Sequence, residues 1–176
     1  MKIVAFGASS SKQSINKQFA TYVAHLVPDS EVDVLDLNDF EMPIYSIDKE
    51  QEIGIPQLAK DFKDRLRPAD GIIISFAEHN GSYAAAFKNI YDWISRVEKE
   101  IWLNKPMLLL ATSPGARGAA NALENAVREF PHRRAEVIAS FSLPSFGQNF
   151  ENGELTNDEL KAALQSELDK FVAAIS

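Results

Sequence analysis

Three short stretches carry residue types that do chemistry in α/β proteins. The first is Gly7 to Asn16, GASSSKQSIN, where Ser9, Ser10, Ser11 and Ser14 crowd the space between an apolar run and the start of a helical pattern. Amide N–H groups at a helix start have no partner in the helix and carry partial positive charge, so strand, small-residue turn and helix start together form an anion cradle. The amides near Gln13–Asn16 and the hydroxyls of Ser9, Ser11 and Ser14 suit the acceptor oxygens of a phosphate monoester, and Lys12 is the one cation in the stretch. Any βαβ unit also needs a small-residue turn after its first strand, which is the plain alternative. The spacing is neither G-x-x-x-x-G-K-[ST] nor G-x-G-x-x-G, so a nucleoside-triphosphate loop and a dinucleotide site are disfavoured and a single phosphate is expected.

The second stretch is Ala77 to Tyr83, AEHNGSY. Gly81 and Ser82 allow a flat ligand to approach the backbone, and the Asn80 amide offers a donor and an acceptor to a heteroaromatic ring. His79 either stacks on such a ring or is simply exposed. Glu78 either touches the ligand or anchors the loop through backbone N–H groups. The third stretch, Ser113 to Gly118 (SPGARG), opens a helix and receives the far edge of the same ring. Arg117 is a candidate partner for a pyridine-nucleotide phosphate, against a plain reading as a solvated arginine on a first helical turn.

These stretches need a frame that brings them together. Residues 2–7 read as a buried parallel strand, apolar on consecutive positions. Residues 15–27 follow as a helix with Phe19, Tyr22, Val23 and Leu26 on one face. Residues 31–37 alternate apolar and acidic side chains, as a half-buried strand does. Residues 38–54 have no convincing period and read as a long loop with exposed apolar residues, a ligand cover or subunit contact. Pro56 suits a first helical turn, ahead of the stripe Leu58, Ala59, Phe62, Leu66. Strands at 71–76, 107–112 and 135–141 alternate with helices carrying Phe87, Ile90, Tyr91, Ile94, Val97 and then Ala120, Leu123, Val127, Phe130. Trp93 lies off the first of these stripes. Thr156 and Glu159 have capping-box spacing ahead of a last helix built on Leu160, Leu164, Leu168 and Phe171.

Five strands alternating with five helices predict a three-layer flavodoxin-like α/β fold, a five-stranded parallel sheet of order 2-1-3-4-5 with helices on both faces, as a single domain over residues 1–176. The three stretches follow strands one, three and four. They therefore meet at the carboxyl edge, where such sheets bind ligands.

Composition narrows the function. The chain has 176 residues, 45% of them hydrophobic, and a net charge of −7. An acidic balance disfavours nucleic acid as a partner. The absence of cysteine excludes disulfides and thiolate metal sites, and the three scattered histidines (His25, His79, His132) show no metal-ligand spacing. No apolar run reaches membrane-spanning length, and the N-terminal apolar stretch is too short for a signal peptide. The expectation is a cytoplasmic protein with no metal and no membrane.

On these residues the chain resembles the NAD(P)H-dependent FMN reductases. The family's first loop, roughly G-S-x-R-x-x-S-x-N, is matched at Ser9, Ser14 and Asn16, with Ser11 in the arginine's place. The second motif, P-E-Y-N-x-S-x-P followed by K-N-x-x-D-W, is matched at Glu78, Asn80, Ser82, Lys88, Asn89, Asp92 and Trp93, with His79 replacing Tyr. The third, S-x-G-x-x-G-G, is matched at Ser113, Gly115 and Gly118, with Ala119 in the last position.

The resemblance implies an FMN whose phosphate is held by Ser9, Ser11, Ser14, Ile15 and Asn16. Its ring is lined by Glu78, His79, Asn80, Gly81 and Ser82, and its other edge by Ser113 and Gly115. It also implies NAD(P)H as co-substrate and a homodimer or homotetramer, for which Trp93 and residues 38–54 are the candidate contacts. Hydride transfer between nicotinamide and flavin needs no protein nucleophile, which fits a chain without a catalytic triad or an acid pair. The expected activity is an FMN-dependent NAD(P)H oxidoreductase passing electrons to a small molecule: a quinone, azo compound, metal oxyanion or free flavin. The alternatives are a flavodoxin-type electron carrier and a flavin-free binding module.

Overall fold

Consecutive apolar residues make buried strands because the two faces of this sheet are both covered. In the computed structural model, which describes residues 1–176, the main sheet is built from β1 (Lys2–Ala8), β2 (Glu31–Leu35), β3 (Gly71–Phe76), β4 (Lys105–Thr112) and β5 (Ala135–Leu143). All four pairings are parallel and the order is β2-β1-β3-β4-β5, as the alternation predicts. Successive side chains point to opposite faces. Val4 and Phe6 of β1 join Ile72, Ile74 and Leu109 in one core, while Ile3 and Ala5 join Ile73, Leu108 and Leu110 in the other.

The helices are α1 (Ile15–His25), α2 (Ile47–Ile53), α3 (Gln57–Leu66), α4 (Ala85–Val97), α5 (Ala120–Glu129), the short α6 (Phe146–Asn149) and α7 (Asp158–Ile175). Residues of α3, α4 and α5 enter the first core, and residues of α1 and α7 the second. The layers are those expected from the sequence, and α2 and α6 are additions to it.

Residues 38–54 are not one structureless loop. A 3-10 turn at Leu37–Phe40 is capped by Asp36, whose carboxylate accepts from the Asn38 amide, and Ser46 caps α2. A run this short shows too little periodicity to read. β2 accordingly ends at Leu35 rather than 37. Trp93 is not available as a subunit contact: it is fully buried, donates from Nε1 to the Pro43 carbonyl at 2.7 Å, and meets Tyr45 edge to face. The Thr156–Glu159 capping box does not form either. Asn157 caps α7 by accepting from the Leu160 amide.

Candidate active site

The position of the first loop is set by Gly7. A Cβ there would lie 2.3 Å from the Lys17 nitrogen, so only glycine lets the start of α1 close onto the end of β1. Ser14 then caps α1, its hydroxyl accepting from the Lys17 amide. Ser9 accepts from the Ser11 amide and its own amide reaches Gly7 O. The amides of Gln13, Ile15 and Asn16 make no hydrogen bond within the chain. They are the orphan donors that a helix start leaves over.

The Asn16 side chain has a different task. Its Oδ1 accepts from Ser75 Oγ (2.7 Å) and from the Thr112 amide (3.1 Å), and its Nδ2 donates to Thr112 O (3.1 Å). Thr112 Oγ1 donates onward to Leu143 O. This buried chain of bonds ties the start of α1 to the ends of β3, β4 and β5. Asn16 therefore offers a ligand its backbone amide, not its carboxamide. A polar residue next to the apolar Ile15 gave no sign of this, because its partners are 59 and 96 residues away.

The second stretch folds as a hairpin. Glu78–His79 pairs antiparallel with Ser82–Tyr83 across Asn80 and Gly81, at φ 52° and 77°. Both φ angles are positive, as a type I′ turn requires, and Asn-Gly is its strongest short-range signal. The sequence reading treated this dipeptide as ligand-facing and missed the turn.

Glu78 resolves as an anchor. Its two carboxylate oxygens accept from the Asn121 side chain (3.2 Å) and the Ala122 amide (3.1 Å), which caps the start of α5. Tyr83 plugs the hairpin onto Phe76 and Phe87, and burial pushes its phenol up to about 12. His79 is exposed, and its ring nitrogens make no hydrogen bond within the chain.

The third stretch is also bound to its neighbours. Ser113 O accepts from the Phe146 amide and Gly115 O from the Ser145 amide, while Ser113 Oγ donates to Gly115 O. Gly118 has φ 57°, and a Cβ there would lie 2.3 Å from Ser142 Oγ. Ala119 follows at φ 59°, a left-handed position where the family motif has glycine. Arg117 is exposed, does not line the cleft, and donates from its guanidinium to Asn121 Oδ1.

The three stretches enclose a cleft of about 600 Å³ at the carboxyl edge. Of the candidate residues, Ser9, Ser11, Ser14, Ile15, Asn16, Glu78, His79 and Ser113 line it. Asn80, Gly81, Ser82 and Gly115 do not. Gly81 and Ser82 face away from it, toward Asn121, Glu124 and Arg128, because the hairpin turn projects outward. Lys12 is exposed and lines the outer groove of α1 with Lys17 and Tyr22 rather than the cleft wall. Sequence reasoning missed the small residues Ala84–Ala86 and Pro114, and Thr112, which complete the wall. The size suits a small-molecule site. Neutral donors at one end and small residues along the sides fit a phosphorylated planar group, as FMN is. No group of three or more His, Asp or Glu side chains is placed to hold a metal ion, and no helix is long and apolar enough to cross a membrane.

The profile of the NADPH-dependent FMN reductases matches residues 1–148. The chain belongs to this family. As a member it is a flavin-dependent NAD(P)H oxidoreductase that uses FMN, which sets aside the carrier and binding-module alternatives. The reductase is 30% identical to a 2-hydroxy-1,4-benzoquinone reductase of a Burkholderia species, over 98% of this chain and 95% of the relative. It is 29% identical to a quinone reductase of Escherichia coli K12, over 88% of each. Its structure superposes on the flavoenzyme NAD(P)H:(acceptor) oxidoreductase FerB of Paracoccus denitrificans with a TM-score of 0.78, at 26% identity, covering 99% of this chain and 96% of that one.

Proposed function

We propose that this reductase passes the electron pair of NAD(P)H to quinones. FMN is held with its phosphate on the amides of Gln13, Ile15 and Asn16 and the hydroxyls of Ser9, Ser11 and Ser14. The observation that carries the binding mode is the set of unpartnered donors at the mouth of the cleft. Two relatives named as quinone reductases supply the acceptor class. Bound FMN supplies two-electron chemistry. The chain's own part is to hold and shape the site. Helix-end amides take the phosphate, Glu78 and Asn121 fix the hairpin, and Ala84–Ala86 leave room for a flat ring.

Within this reading the ring lies against Glu78, His79 and Ser113. Arg117, exposed on the loop that leads into α5, is the candidate for a nucleotide phosphate. The whole chain, 1–176, acts as one FMN domain, since Leu164, Leu168 and Phe171 of α7 complete a core that begins in β1. The subunit contact of a homodimer or homotetramer falls on residues 44–58. Ile44 is 85% exposed there, and Ile47, Ile53 and Leu58 add apolar surface.

The test is steady-state oxidation of NADH and NADPH by the FMN-loaded protein with a benzoquinone. Sustained turnover supports the proposal. No quinone-dependent oxidation of either nucleotide refutes it. Sedimentation of the purified protein reads the oligomeric state, and a monomer overturns that part.

A further inference from the structure

Reducing a quinone to a hydroquinone takes two electrons and two hydrogens. NAD(P)H supplies the electron pair with one hydrogen, breaking its C–H bond and leaving NAD(P)⁺. The second hydrogen is a proton, and it must reach an acceptor oxygen that has become negatively charged. A positioned acid speeds such a step, typically by a hundredfold or more.

The cleft has few groups that can serve. Its lining is serine, alanine, proline, threonine, amide and isoleucine side chains apart from two ionisable ones, Glu78 and His79. Glu78 has both oxygens engaged, by Asn121 and by the Ala122 amide. His79 has neither ring nitrogen engaged. Imidazole is also the side chain that trades protons near neutrality.

We infer that His79, resting on the quinone reading above, donates the proton that completes reduction of the acceptor. The imidazolium N–H bond breaks, the acceptor's O–H bond forms, and the neutral ring takes a proton back from water, which its exposure permits. The hairpin suits this task. Its backbone is fixed by the Asn80–Gly81 turn, by Glu78 on α5 and by Tyr83 in the core, while the His79 ring stays unbound and free to meet a ligand.

The charged groups around the hairpin are Glu78 on the same strand, Arg117, Glu124 and Arg128 on α5 and its approach, and Lys88 on α4. Lys88 is paired with Asp92 and Arg117 with Asn121. The first loop adds Lys12, which is exposed and lines the outer groove beside Gln13 and Ser14.

The test compares the FMN-loaded wild type with His79→Gln, using a benzoquinone and ferricyanide as acceptors from pH 5.5 to 9. Ferricyanide takes electrons without protons. The expected result is that the quinone rate divided by the ferricyanide rate falls at least tenfold in the variant near pH 6.5. The wild-type decline of that ratio with rising pH should also disappear. A ratio and profile identical to wild type overturn the inference, as does an equal loss with both acceptors, which marks a structural role.

A second readout does not use activity. Of the three histidine ring signals in an NMR titration, that of His79 should move when a hydroquinone is added to the FMN-loaded protein, with His25 and His132 unchanged. An unmoved His79 signal at saturation counts against it. Absence of any quinone turnover in the wild type refutes the quinone reading itself, a result distinct from both failures above.

Discussion

The two ends of the cleft are built on opposite plans. At the first loop, the amides of Gln13, Ile15 and Asn16 and the exposed hydroxyls of Ser10 and Ser11 make no hydrogen bond within the chain. At the hairpin and the loop after β4, the groups that tie these segments to their neighbours are already bonded. Glu78 is tied to α5, Ser113 and Gly115 to the segment after β5, and Arg117 to Asn121. One end leaves donors free, which is what the proposed phosphate site needs. The other is braced by bonds to α5 and to the segment after β5. Of the two ionisable residues in the cleft wall, Glu78 is spent on α5 and His79 makes no hydrogen bond, which is why His79 stands out as a group with a task.

The largest effect should come from cutting the brace that joins the two ends. Asn16→Leu leaves Ser75 Oγ and the Thr112 amide buried without partners, and an unsatisfied buried group costs about 1–3 kcal/mol. Urea unfolding should show a loss of about 4 kcal/mol in all. A loss below about 1 kcal/mol would mean that the network does not hold the ends together.

Next comes a charge placed in the open end. Ser11 is exposed, so Ser11→Asp should leave unfolding unchanged yet weaken FMN at least tenfold by repelling the phosphate. Ser11→Arg, which restores the family's residue, should tighten FMN several-fold through a charge-assisted bond. Equal FMN affinity across all three proteins would break the distinction drawn between the two ends.

Smaller effects separate strain from support. Ala119 sits at φ 59° in the braced end, and left-handed backbone costs a residue with a Cβ about 1–2 kcal/mol. Ala119→Gly should therefore raise the thermal midpoint, with a gain of about 1 kcal/mol once the greater freedom of the unfolded glycine is subtracted. Ser14→Ala removes a helix cap at the open end and should cost about 1 kcal/mol. It should also weaken FMN, whereas Ala119→Gly should not.

Much of this was legible in the sequence. Consecutive apolar runs marked β1, β3 and β4, because a strand buried on both faces has no polar positions to hide the pattern; β2 showed as an apolar–acidic alternation, and the order followed from strands alternating with helices. The meeting of three loops followed from that topology alone. What stayed hidden depends on distant partners. That the Asn16 carboxamide is engaged by Ser75 and Thr112, leaving its backbone amide for a ligand, depends on partners 59 and 96 residues away.

The Lys88–Trp93 motif, the most specific part of the family resemblance, turns out to be structural. Asn89 bonds the carbonyls of Met42 and Pro43 and the amide of Tyr45, and Trp93 bonds Pro43 again. Resemblance marked these residues as important without saying what they do. Asn80 and Gly81 carried a readable turn signal, and its outward projection removes them and Ser82 from the cleft wall.

The central claim is that a phosphate is held by neutral donors at the start of α1. Titrating the protein freed of cofactor with FMN and with riboflavin, which lacks the phosphate, tests it directly by flavin fluorescence. The account predicts that FMN binds at least a hundredfold more tightly, about 2.7 kcal/mol, and that Ser11→Asp removes most of that difference. Equal affinity for the two flavins would contradict it.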